Sequence, residues 1–91
     1  MLDGLERFDE SVPIYRRALA YYEQRLGMEH FEVAATLNNL GMARVAQGDL
    51  KEARTLLRRC LEIKLKLFGE DNPEVRLTRK NIESLESARH R

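Results

Sequence analysis

The chain repeats itself at a spacing of 42 residues, and that period restricts its fold more than any other feature. Slid against itself by 42, Glu10 falls on Glu52, Arg16-Arg17 on Arg58-Arg59, and Leu19 on Leu61. Gly27 falls on Gly69, Glu32-Val33 on Glu74-Val75, Thr36 on Thr78, Asn39 on Asn81 and Ala46 on Ala88. Conservative pairs fill the gaps: Phe8/Leu50, Ile14/Leu56, Leu26/Phe68, Glu29/Asp71 and Leu40/Ile82. A period between about 20 and 50 residues is the signature of stacked repeats, each too small to bury its own apolar face alone.

The repeating unit is helical. Leu50, Ala53, Leu57, Cys60, Leu61, Lys64 and Phe68 recur every three to four residues, as one stripe of an amphipathic helix does. Asp49 precedes that stripe with Glu52 three positions on, a capping-box spacing. Gly69 follows it as a left-handed C-cap, and Asn72-Pro73 supplies the N-cap and first position of another helix. The same punctuation elsewhere predicts helices over 8–26, 31–47, 50–68 and 73–89, joined by very short turns in one all-α domain spanning 1–91. Pro13 lies about a turn inside the first helix and predicts a bend or a late start there. Phe31 stands where Pro73 stands one period later, which predicts a less sharply defined start for the second helix.

The spacing Leu37-x2-Leu40-Gly41-x2-Arg44-x3-Gly48-x-Leu50-x2-Ala53-x3-Leu57-x2-Cys60-Leu61 resembles the tetratricopeptide repeat. Gly41 and Ala53 fall where that family needs small residues at a close helix crossing. Arg44 departs from its usual aromatic, and Cys60 stands where alanine is commoner. The blocks Leu26–Ala34, Thr36–Gly41 and Phe68–Val75, with the longer 42-residue period, resemble the kinesin light chain type of this repeat. The resemblance covers roughly residues 8–85. It implies antiparallel helix-turn-helix units and a protein-interaction role, and it names no partner.

The phase of the repeat gives the two ends different characters. In the last helix the positions matching Leu37, Gly41 and Arg44 are Arg79, Glu83 and Glu86, so that end reads as a charged cap with Arg91 near the end of the stack. At the other end Phe8, Ser11, Tyr15, Ala18, Leu19 and Tyr22 read as the face awaiting a missing helix. Such a face belongs to a longer array or is covered by self-association, and for an isolated chain it predicts a homodimer through the first helix.

Stacked helix pairs line a concave surface with the first helix of each pair. The residues at that spacing are Ala35, Asn38, Met42 and Val45, then Leu77, Lys80, Ser84 and Ser87. Asn38 suits hydrogen bonding to an extended peptide, Met42 an adaptable apolar contact, and Lys80 an acidic group. Asn39 belongs to the groove by resemblance, but its recurrence as Asn81 favours a bridge between neighbouring helices.

Composition narrows the function further. With 91 residues, the chain has little core to spare, and a domain of this size rarely encloses a catalytic cavity. It carries no nucleophile elbow and no glycine-rich phosphate loop. His30, His90 and Cys60 have no metal-ligand spacing, and lone Cys60 on the buried stripe reads as structural. No catalytic residue, metal or cofactor is therefore expected, and the chain reads as a non-enzyme. Net charge of +1 gives no case for nucleic acid. The basic run in 50–68 (Lys51, Arg54, Arg58, Arg59, Lys64 and Lys66 against Glu52 and Glu62) reads as a solvated helix face. Tyr21-Tyr22 read as packing residues with their hydroxyls at the rim. No apolar run approaches a membrane span, and Met1-Leu2-Asp3-Gly4 begins no secretory signal, so a cytoplasmic setting is expected.

Overall fold

The computed structural model describes residues 4–89, with side chains for residues 7–87; His90 and Arg91 lie outside the described residues. Four helices follow one another: α1 (Gly4–Leu26), α2 (Phe31–Ala46), α3 (Leu50–Phe68) and α4 (Pro73–Arg89). The second, third and fourth match the sequence periodicity to within one residue. The first begins at Gly4, four residues before its expected start, and runs through Pro13. Proline removes one donor from a helix, and α1 has enough further turns on either side to absorb that loss.

Each turn is reversed by a glycine that its φ angle requires. Gly27, Gly48 and Gly69 have φ of 94°, 87° and 81°. At Gly69 the ψ angle is 175°, so the chain leaves α3 extended instead of in the left-handed helical cap expected from the sequence. Helix starts are held by side chains. Asn72 Oδ1 accepts from the backbone N–H of Glu74 at 2.8 Å. His30, one period earlier, does the same with Nδ1 for Glu32 at 3.1 Å, so α2 starts cleanly at Phe31 despite lacking a proline there.

Packing is sequential. α2 packs on α1 and most extensively on α3, and α3 packs on α4. The shortest dimension of the molecule, 21 Å, is about two helix diameters. The core is accordingly a set of clusters between neighbouring helices. Val12, Leu40 and Ala43 form one, flanked by Phe8, Tyr15, Leu19 and Leu56. Val33, Ala34, Leu37, Cys60 and Ile63 form the next, flanked by Leu19, Tyr22 and Leu56. Ala53, Leu57, Ile82 and Leu85 form the last, flanked by Val45, Leu50 and Leu61.

Gly41 sets the approach of α2 to α3. A Cβ built on it would lie 2.9 Å from both Cγ and Cδ2 of Leu57, and 3.5 Å from the carbonyl of Ala53. The small residues at 41 and 53 thus stand at a close crossing, as the sequence implied. Phe31 and Phe68 meet edge to face, centroids 5.9 Å apart, where α2 begins and α3 ends.

Candidate functional site

α2 and α4, one period apart, stand on either side of the start of α3, and between them runs a groove of about 270 Å³. Its lining is Met42, Val45, Leu50, Asn81, Ser84 and Leu85. Met42 is 41% exposed, whereas Val45 and Leu50 lean half-buried onto the cluster of Ala53, Leu57, Ile82 and Leu85. The groove therefore offers an apolar floor with an amide and a hydroxyl on the α4 wall, and no charged group lines it.

Three of the residues expected on the concave face, Met42, Val45 and Ser84, meet in this groove. Ala35, Asn38, Asn39, Leu77 and Lys80 do not line it. Ala35 and Asn38 are half-buried, while Asn39, Leu77, Lys80 and Ser87 are exposed. The sequence reading also missed Asn81, Leu50 and Leu85. The 42-residue shift carried a signal for Asn81, since it places Asn39 and Met42 over Asn81 and Ser84.

The face of α1 differs from expectation. Phe8, Tyr15 and Leu19 pack on Val12, Leu40 and Ala43, and Leu19 and Tyr22 also pack on the cluster around Leu37. Ser11 and Ala18 are half-buried beside them. Phe8, Tyr15, Leu19 and Tyr22 thus already pack on the rest of the molecule, while all six residues remain half-exposed. Among the described residues, the large apolar side chains that α1 turns to solvent are Ile14, 64% exposed, Tyr21, 55% exposed, and Leu26, 44% exposed at its end.

The basic run of α3, apart from the exposed Lys51, is paired within the fold. Arg54 and Arg58 hold Glu86 of α4 at 3.7 and 3.1 Å, and Arg59 pairs with Glu23 of α1. Lys66 pairs with Glu29 in the α1–α2 turn, and Lys64 with Glu74 of α4 at 3.0 Å. The pairs other than Lys64–Glu74 are partially exposed and contribute about 0–1 kcal/mol each. The larger effect here is to tie these five cations to neighbouring elements of the fold.

Arg44, which stands where the family favours an aromatic, is the centre of a second network. Its Nε donates to Glu52 Oε1 at 2.6 Å, and its two terminal nitrogens donate to Gln47 Oε1 and Asp49 Oδ2, each at 2.5 Å. Arg16 of α1 reaches the same Glu52 oxygen at 2.8 Å, and Gln47 Nε2 donates to Asp9 of α1 at 2.6 Å. The network ties α1, α2 and α3 together at the groove end of α2. It also explains why the capping box is only half closed. Asp49 accepts from the Glu52 N–H at 3.1 Å, but the Glu52 carboxylate is occupied by arginines, and the Asp49 N–H donates to the Arg44 carbonyl instead.

The hydrogen bond from Arg16, with that from Arg44, holds the Glu52 carboxyl below its usual 4.5. The Glu52 N–H, and after it Arg44, holds Asp49 below its usual 3.8. A carboxyl depressed in the folded state stabilises the fold above its unfolded pKa, and that contribution is lost as pH falls through the folded value. Stability should therefore drop as pH falls below about 4.5, and Arg44→Leu should flatten that acid limb. Urea midpoints at a series of pH values check this; parallel limbs for the two proteins would refute it.

Burial pushes the Cys60 thiol up from its usual value, as suits an inert core residue. Among the described residues no cluster of His, Cys, Asp and Glu is placed to hold a metal ion, and no helix is long and apolar enough to cross a membrane.

Helix pairs stacked with a 42-residue period around a shared groove define an α-solenoid segment. The sequence model of the tetratricopeptide repeat matches residues 4–66 and again 32–91, and the chain belongs to that family. Tetratricopeptide repeats are non-enzymatic modules that mediate protein–protein interaction. No curated protein matches this sequence.

Proposed function

We propose that this chain is a protein-interaction module that captures a peptide or protein segment in the groove between α2 and α4. The observation that carries this reading is the apolar floor of Met42, Val45, Leu50 and Leu85 beneath Asn81 and Ser84. An extended or helical segment would place an apolar side chain on that floor. Asn81 and Ser84 would serve its backbone with a donor and an acceptor each. The 42-residue period supports placing it with the kinesin light chain type of the family, and the buried lone thiol suits a cytoplasmic setting.

Selection from a random peptide library displayed on phage tests this. Enriched peptides should carry a large apolar anchor and lose binding to Met42→Glu by about tenfold or more, as expected for a carboxylate set against a buried apolar contact. Met42 is exposed, so the variant should keep its circular dichroism and thermal midpoint. Peptides that bind both proteins equally would overturn the reading.

A second reading, self-assembly through α1, is favoured by one observation. Ile14 and Tyr21 stand in solvent a full two turns apart on the same face of that helix.

A further inference from the structure

We infer that two copies of this chain associate through an antiparallel pairing of their α1 helices, with a two-fold axis passing beside Arg17 and Ala18. The inference rests on the self-assembly reading and specifies its geometry and its contacts. It begins with the outward ridge of α1. Glu10, Ile14, Arg17, Tyr21 and Arg25 follow one another at intervals of four, three, four and four residues, and all are exposed. That spacing puts them on one face of a helix. The opposite face, with Phe8, Val12, Tyr15 and Leu19, is engaged with α2.

The order of chemistry along this ridge is acid, apolar, base, apolar, base. A two-fold axis perpendicular to α1 between residues 17 and 18 pairs residue i with residue 35 − i of the second copy. Ile14 then meets Tyr21 of the second copy, and Tyr21 meets its Ile14. Glu10 meets Arg25, and Arg25 meets Glu10. Both charge pairs and both apolar pairs form at once, which is the self-complementarity that an isologous interface requires. Arg17 falls opposite Ala18, whose short side chain leaves room for the arginine stem. A parallel pairing in register would instead set Glu10 against Glu10 and Arg25 against Arg25. Charge therefore selects the antiparallel orientation.

Arg25 is already placed for this contact. Its guanidinium lies 5.5 Å from the centroid of the Tyr21 ring, so cation and ring present one continuous surface. Neither Glu10 nor Arg25 forms a salt bridge among the described residues, in contrast to Arg16 and Glu23, which α1 commits to α3.

Sedimentation equilibrium of charge-exchange variants tests the inference. The unaltered chain should show a monomer–dimer equilibrium with no larger species, weakening as salt is raised. Glu10→Arg alone sets two guanidinium groups against each other at both ends of the pair. Arg25→Glu alone sets two carboxylates against each other at the same two places. Each variant should dimerise about tenfold more weakly than the unaltered chain. Mixing the two variants should restore association as a one-to-one heterodimer, because every end contact is then opposite in sign. Both residues are exposed, and matching circular dichroism shows that each variant is folded. A dimer indifferent to these exchanges, or a mixture that fails to associate, overturns the antiparallel pairing while leaving self-assembly in place. A chain that stays monomeric at the highest attainable concentration overturns both, and neither result bears on peptide capture at the groove.

Discussion

Truncating Leu57 to alanine should lower the unfolding free energy by about 3 kcal/mol, within the roughly 2–5 kcal/mol span of buried leucine truncations. Leu57 is fully buried, packs with Ala53, Ile82 and Leu85, and fills the space that Gly41 leaves open. Gly41→Ala alone should also destabilise. The added methyl gains about 1 kcal/mol of helix propensity but is driven to 2.9 Å from Leu57, and overpacking of this kind costs about 1–3 kcal/mol. The two changes should couple. In Leu57→Ala the obstructing side chain is gone, so Gly41→Ala should become neutral or stabilising, and the double variant should be more stable than the sum of the singles predicts. Urea denaturation of the four proteins measures the cycle, and simple additivity would contradict the close crossing.

Lys64 gives the second large effect, and its size depends on what replaces it. The side chain is 6% exposed, with Nζ 3.0 Å from Glu74 Oε1 and 3.2 Å from Thr78 Oγ1. Among the described residues every buried side-chain nitrogen and oxygen has a partner, and this contact helps to keep that so. Lys64→Ala removes both the stem that fills the α3–α4 interface and the donor to Thr78, and should cost about 2–4 kcal/mol. Lys64→Met keeps the volume and removes the buried charge, so its cost should stay below about 1.5 kcal/mol. Thermal midpoints of the two variants separate the explanations. If alanine and methionine prove equally damaging, the ammonium group matters more than the packing of its stem.

Helix limits were legible because their determinants are local. Asp49, Asn72-Pro73 and the three turn glycines act within a few residues of themselves; the cap that His30 supplies is as local but was not read. The crossing at Gly41 and Ala53 was legible from the family spacing. Arg44 was visible only as an anomaly. Its partners Asp49 and Glu52 lie nearby, but the links to Asp9 and Arg16 bridge more than 25 residues and exist only after α1 and α3 have packed. The packing of α1 was less legible for a different reason. Ser11, Ala18 and Tyr22 border the buried stripe on the side nearest Ile14 and Tyr21, and adjacent ridges of one helix differ by a modest rotation. Both ridges carry aromatic or aliphatic residues, and only the position of α2 decides which is covered. The groove was partly legible. Periodicity picked out Met42, Val45 and Ser84, but the other lining residues depend on where the start of α3 enters between α2 and α4.

The residue one period after Gly41 is Glu83, and it is exposed on α4. A helix laid against α4 as α3 lies against α2 would meet a carboxylate-bearing chain where only a hydrogen fits at the earlier crossing. The segment therefore has a polarity: its α1 side presents a ridge of alternating charged and apolar residues, and its α4 side resists the same mode of addition. Pairing of α1 with α1 turns the two resistant ends outward. Such an assembly terminates at two copies, whereas head-to-tail stacking would have propagated into filaments.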